Sequence, residues 1–168
     1  MKNNLPKRKP TRLKEYDYST SGAYFVTICV KDRKQLLSKI VGDDAYIVPK
    51  NHLSNYGSIC DKYIYNINIK YENATIDKYV IMPNHIHVIM ILSGRAAGAS
   101  PRPTITDIVC TYKSLTTREC KKSGFREKLF QTSFYEHVIR SREDYEKIAK
   151  YIYENPIRWC YDELYTEE

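Results

Sequence analysis

Two histidines, His85 and His87, stand two residues apart inside the apolar run HIHVIMIL. On a β-strand alternate side chains share a face, so both imidazoles point one way, roughly 7 Å apart at Cβ, and Ile86 points the other. Neutral imidazoles placed like this can converge on one divalent cation, each giving a ring nitrogen. Such an ion needs a further ligand from elsewhere. Tyr151 and Asn155 are four residues apart in REDYEKIAKYIYEN, one turn apart on one face of a helix. Asn155 offers a hard amide oxygen and Tyr151 a phenol. A phenol with a pKa near 10 is a weak nucleophile, but a phosphate diester polarised by a bound cation is open to its attack. The chain has 16 tyrosines, so residue type alone does not single out Tyr151. The i, i+4 pairing does, because Tyr153 points about 200° away round the helix. Two hydrogen-bonded strand histidines, a packing tyrosine and an asparagine that ends a helix before Pro156 remain the alternative reading of the same residues.

These side chains need elements to hold them. GAYFVTICV (22 to 30) is β-branched and aromatic and is expected to be a buried strand. VGDDAY carries a Gly-Asp-Asp turn signal for a local hairpin or loop before Pro49. From His52 to about Tyr71, Leu53, Tyr56, Ile59, Cys60, Tyr63, Ile64 and Ile67 recur at helical spacing. ATIDKYVIM and HIHVIMIL read as two strands joined through Pro83 and Asn84. SGRAAGASPRP (93 to 103) is a loop, and TITDIVCTYKSLTTRECKKS a helix with Ile105, Ile108, Val109, Tyr112 and Leu115 on one side. FYEHVIR (134 to 140) alternates like a strand, and Ser141 with Asp144 opens the last helix, stopped by Pro156. That order predicts an α+β fold, a ferredoxin-like sandwich with a central, mainly antiparallel sheet and helices packed on it.

A chain of 168 residues is the size of one domain with a core of its own. The expected division is a basic N-terminal arm over 1–21, a single catalytic domain over 22–160 and an acidic tail over 161–168. No apolar run approaches the ~20 residues that cross a bilayer, and MKNNLPKRKP lacks the apolar core of a secretory signal, so no membrane association and a cytoplasmic location are expected. The five cysteines are scattered without a CxxC pair, which argues against a disulfide framework and a cysteine zinc site. A net charge of +7 favours a polyanionic partner. Lys7, Arg8, Lys9 and Arg12 in the arm and Lys113, Arg118, Lys121 and Lys122 on the fifth predicted element are the cations placed to track a phosphate backbone. Tyr16, Tyr18, Phe130 and Phe134 are candidate stacking surfaces for bases, with core packing the competing role for the two phenylalanines.

With these residues in view, MPNHIHVIM resembles the HUH motif of single-strand nucleases and transposases. EDYEKIAKYIYENPIRW resembles the tyrosine-bearing helix of the REP-associated tyrosine transposases, and RLKEYDYSTSGAYFVTICVKDRK and FQTSFYEHVIRSREDY resemble that family's openings to its first and last strands. The resemblance runs from about Arg12 to Trp159; the loop 93–103 departs from it in length. It implies His85 and His87 as metal-binding residues, Tyr151 as the nucleophile, Asn155 as third metal-side ligand and Mg²⁺ or Mn²⁺ as the ion. It implies cleavage and rejoining of single-stranded or hairpin DNA through a 5′-phosphotyrosine with release of a 3′-hydroxyl, carried out by a monomer rather than a homodimer. Three other readings compete: a domesticated binding module of the same fold without catalysis, a replication-initiator type nicking enzyme, and a small zinc hydrolase. The last would want another histidine or carboxylate at matching spacing, and His52 and His137 do not supply it.

Overall fold

The computed structural model describes residues 20–42, 49–94 and 103–167. Runs of Val, Ile, Tyr and Phe form strands β1 (Gly22–Cys29), β4 (Ala74–Ile81), β5 (His85–Leu92) and β6 (Tyr135–Ile139). They make one antiparallel sheet in the order β4-β5-β1-β6. A smaller two-stranded sheet pairs β2 (Ser38–Val41) with β3 (Lys50–Leu53). Helices α1 (Asn55–Lys70) and α2 (Ile105–Lys122) connect β1 to β4 and β5 to β6, giving a βαββαβ core, and α3 (Arg142–Glu154) follows β6. This is the expected α+β arrangement.

Strand alternation decides what each face carries. Tyr24, Val26, Ile28, Ile86, Val88 and Met90 pack with Cys60, Ile64 and Ile67 of α1 and with Ile105, Ile108, Val109 and Tyr112 of α2. Phe25, Thr27, His85 and His87 occupy the other face, under α3. The register Thr27↔His87 and Cys29↔His85 sets the two histidines beside β1, with β4 on their other flank.

The helix ends follow local chemistry. Thr104 and Asp107 form a capping box at α2, and Ser141 accepts from the Asp144 N–H at α3. The helix expected from His52 starts at Asn55 instead, because Ser54 accepts the Gly57 N–H at 3.0 Å while Lys50–Leu53 is drawn into pairing with β2. A Cβ at position 57 would collide with the Leu37 carbonyl oxygen, so only glycine lets α1 begin this close to the chain before β2. The Gly-Asp-Asp turn falls largely on 43–48, outside the described residues, although the strands that flank it do pair. The acidic segment after 160 belongs to the folded body through Glu167: Thr166 accepts from Gln35 and donates to the Arg33 carbonyl, and Leu164 accepts from Asn84.

Candidate active site

Between the two strands β4 and β5, Met82, Pro83 and Asn84 make the turn that delivers His85. The Asn84 amide nitrogen donates to the Leu164 carbonyl at 2.7 Å and to Thr166 Oγ1 at 3.2 Å. A carbonyl only accepts, so this fixes the amide's orientation and leaves Asn84 Oδ1 to accept from His85 Nδ1, 2.8 Å away. The proton of neutral His85 is therefore on Nδ1, and Nε2 carries a lone pair. That Nε2 is buried and closes no hydrogen bond among the described residues.

His87 lies beside it, with ring centroids 4.4 Å apart. Its Nδ1 is 2.8 Å from Thr27 Oγ1, and its Nε2 is 3.2 Å from the Tyr151 hydroxyl oxygen. The threonine hydroxyl can donate or accept, so either tautomer of His87 is satisfied; a cation on Nε2 selects the one with Nδ1–H donating to Thr27. Burial pushes both imidazoles far below their ordinary value of 6.5, His85 to about 4 and His87 to about 3. Both are neutral at pH 7, the state in which a histidine ligates metal.

Helix α3 brings Tyr151 over this pair, its ring 5.1 Å from His87 and 6.2 Å from Phe25 by centroid. The hydroxyl donates to Asp162 Oδ2 at 2.8 Å, and the Asn155 amide nitrogen donates to the same oxygen at 2.6 Å. Asn155 Oδ1, turned from the carboxylate, is buried without a hydrogen-bond partner among the described residues. It lies near enough to His85 to favour a proton there, against the stronger effect of burial. Burial raises the Tyr151 pKa, and the hydrogen bond and charge of Asp162 raise it further. Burial also pushes the Asp162 carboxyl up, but hydrogen bonds from the Leu164 N–H, Tyr151 and Asn155 more than offset it and hold the group below the ordinary carboxylate range.

The donor set suits a divalent cation. His85, His87 and Asp162 each present a ligand atom within 4.8 Å of the other two, and the unpartnered His85 Nε2 and Asn155 Oδ1 are what a nearby ion would satisfy. The structure thus brings His85, His87, Tyr151 and Asn155 together, and adds three residues absent from the sequence reading of the site: Asp162, Asn84 and Thr27. Asp162 lies in the stretch whose composition reads as an acidic tail, and Asn84 in the turn that opens the HUH-like stretch, where sequence gives it no role of its own.

The proposed backbone-tracking cations fare differently. Lys7, Arg8, Lys9 and Arg12, with Tyr16 and Tyr18, lie outside the described residues, as does most of the loop 93–103. The Lys113 ammonium donates to the carbonyls of Gln131, Thr132 and Ser133, and burial lowers its pKa. It ties the chain before β6 to α2. Lys122 pairs with Glu119 at 2.9 Å. Arg118 and Lys121 line a shallow basic depression with Lys128, Ser114 and Thr117. Phe130 and Phe134 are buried in the core, not presented to solvent. No helix among the described residues is long and apolar enough to cross a membrane.

No protein-family model matches the chain. An uncharacterized Haemophilus influenzae protein is 33% identical over 175 residues, covering 95% of this chain and 94% of that one. A second H. influenzae protein, provisionally named a REP-associated tyrosine transposase, is 28% identical over 155 residues, covering 88% and 77%. Among solved structures, a REP-associated tyrosine transposase bound to a REP hairpin superposes with a TM-score of 0.63 at 22% identity, over 90% of this chain and 76% of the other. A Deinococcus radiodurans protein provisionally described as a transposase follows at a TM-score of 0.50 and 16% identity, over 85% and 95%.

Proposed function

We propose that the chain is a member of the REP-associated tyrosine transposase family, like the relative and the solved structure of that name, and that it is a metal-dependent strand transferase that cleaves and rejoins single-stranded or hairpin DNA through Tyr151. The observation that carries this reading is the placement of the Tyr151 hydroxyl 3.2 Å from His87 Nε2, over two buried neutral imidazoles and beside a carboxylate.

His85, His87 and Asp162, with the Asn155 oxygen, would hold the ion, Mg²⁺ or Mn²⁺ by the hardness of the oxygen donors. Bound there, it supplies Lewis-acid polarisation of the scissile phosphate. The chain's own residues do the rest. Tyr151 Oη forms a bond to phosphorus as the bond from phosphorus to the 3′-oxygen breaks. This leaves a 5′-phosphotyrosine and a 3′-oxyanion, which takes a proton from solvent to become a 3′-hydroxyl. Asp162 Oδ2, 2.8 Å away, is the acceptor in place for the phenol's proton, and Asn155 holds that carboxylate from the other side. No water is consumed, so a 3′-hydroxyl can attack the phosphotyrosine and restore a diester. Burial and Asp162 keep the phenol protonated in the resting protein, which ties nucleophile formation to substrate and cation.

All the named side chains come from one chain, which supports a monomer acting in cis. The test is incubation with pooled single-stranded hairpin oligonucleotides, with Mn²⁺ or EDTA, and a denaturing gel for covalent adduct. A Mn²⁺-dependent adduct that vanishes in Tyr151→Phe is the expected result. An adduct that survives that substitution reassigns the nucleophile, and salt-sensitive binding without adduct favours a catalytically silent binding module.

A further inference from the structure

We propose that Arg33 is a further catalytic residue, whose guanidinium binds the non-bridging oxygens of the phosphate attacked by Tyr151 and stabilises the charge that builds there; this rests on the function just proposed. Asp32 and Arg33, at φ 57° and 53°, are the only non-glycine residues with positive φ among the described residues. Two left-handed residues in succession are costly for any side chain beyond hydrogen, and glycine would make the same turn at lower cost. An arginine kept in that conformation points to its side chain as what the position is for.

The bend that carries Arg33 is tied to the site on every side. The Val30 N–H donates to the Asn84 carbonyl at 2.9 Å, and the Leu36 and Leu37 N–H groups both donate to the Pro83 carbonyl at 2.9 Å. Residues 30–37 therefore clasp the turn that delivers His85. The Arg33 carbonyl accepts from Thr166 Oγ1 at 3.2 Å, and the same oxygen accepts from the Asn84 amide. The guanidinium donates to the carbonyl of Glu163, the residue after Asp162, at 3.3 Å. Backbone and side chain are thus fixed to the two segments that carry His85 and Asp162.

What this half-buried guanidinium lacks is an anion. The Glu163 contact is long and uses one of five N–H donors. Among the described residues no carboxylate pairs with Arg33, whereas Lys34, Lys122, Arg142 and Arg158 each have one. Its charge is felt at the site: burial is the chief cause of the low pKa of His85, and Arg33 lowers it further. A cation beside metal-binding residues works against the ion they hold, unless a phosphate diester brings negative charge to both. The planar fork of an arginine matches two oxygens of such a phosphate. As Tyr151 Oη bonds to phosphorus and the bond to the 3′-oxygen breaks, Arg33 donates hydrogen bonds to the non-bridging oxygens and gives up no proton.

The full-length protein is compared with Arg33→Gly and Arg33→Lys on a hairpin oligonucleotide that the wild type cleaves, and on the same oligonucleotide with an uncharged methylphosphonate at the scissile position. Glycine suits the left-handed backbone, so Arg33→Gly should keep the fold, and its Mn²⁺ affinity by calorimetry should equal or exceed that of the wild type. Its single-turnover rate of adduct formation at saturating hairpin should fall roughly 100- to 1,000-fold. Arg33→Lys keeps the charge without the fork and should lose less. On the methylphosphonate the gap between wild type and Arg33→Gly should close, because the charge that Arg33 answers is gone. Equal rates on the ordinary diester, or the same deficit on the methylphosphonate, overturn the role of Arg33 and leave the strand-transfer reading standing. A Mn²⁺ affinity that falls in step with the rate also overturns it, since Arg33 would then only prop the segment of Asp162. A wild type that forms no adduct with any hairpin overturns both.

Discussion

The two faces of the central sheet are built on the same strands and obey opposite rules. Under α1 and α2, Ile86, Val88 and Met90 meet Ile64, Ile105 and Ile108 in an apolar layer of the ordinary kind. Under α3, side chains from the same strands bury Thr27, His85 and His87, and Asn155 is buried above them. Five of the eight buried polar residues among those described, Asn84 at the turn included, gather at this one place. Burying a polar group costs free energy unless it is fully hydrogen-bonded, and here His85 Nε2 and Asn155 Oδ1 are not. The apolar face thus supplies the stability that the site face gives up, and a rigid strand shared by both transmits the register of one to the other.

Exchanging one residue on each face separates the two roles most sharply. Tyr151→Phe removes only a hydroxyl from a side chain 41% exposed, so the melting temperature should hold while adduct formation is lost entirely. Ile86→Ala, between the two histidines but fully buried on the other face, should cost about 2–5 kcal/mol in denaturant unfolding. If Tyr151→Phe destabilised as much as Ile86→Ala, the division between the faces would be wrong.

Protons test the site face alone. Both histidines have folded-state values depressed from 6.5, to about 4 and about 3, so the unfolded chain binds more protons between these limits. Their stabilising contribution is fully present above pH 6.5 and falls as the pH drops toward 4 and then 3, by on the order of a few kcal/mol together. Unfolding measured in EDTA should follow that course in the wild type. In His85→Ala and His87→Ala the slope should flatten; an unchanged slope would place the titration elsewhere.

Asn84 probes how the face is assembled. Asn84→Ala loses both the acceptor for His85 Nδ1 and the donor to Leu164, and should weaken Mn²⁺ binding about 10-fold or more and destabilise by about 1–3 kcal/mol. Asn84→Asp keeps the acceptor and loses the donor. It should retain Mn²⁺ affinity by calorimetry while hydrogen exchange quickens over 162–167, and loss of both would refute the assigned tautomer of His85.

What the sequence made legible follows from the same contrast. Strand alternation placed His85 and His87 together, and helical spacing paired Tyr151 with Asn155, because both signals are local and periodic. The α+β order was legible for the same reason, from the periods of each run. Asp162 was not, because its role depends on a 3₁₀ turn at Trp159–Tyr161 that returns the chain to Tyr151, and a carboxylate in YDELYTEE looks like solvated charge. Lys113 reads as a surface cation by spacing, yet three carbonyls of the segment before β6 occupy it, a contact no pattern announces. The strand Lys50–Leu53 was hidden because its residues continue the helical period of α1 and only pairing with β2 overrules it.

The smallest expected effects compare one substitution made on both sides. Thr27 and Thr116 are both buried, and valine is nearly their shape. Thr27 Oγ1 is bonded to His87 Nδ1 at 2.8 Å, whereas Thr116 Oγ1, on α2, closes no hydrogen bond of good geometry among the described residues. Thr27→Val therefore leaves a ring nitrogen unpaired and should cost about 1 kcal/mol, with a roughly 10-fold loss in Mn²⁺ affinity because nothing then holds the Nδ1–H tautomer. Thr116→Val removes a buried hydroxyl that earns little and should stay within about 0.5 kcal/mol of the wild type, with Mn²⁺ affinity unchanged. Equal costs would mean that the polar groups under α3 are ordinary core groups. A difference confined to Thr27 would mean that its hydroxyl serves to orient His87.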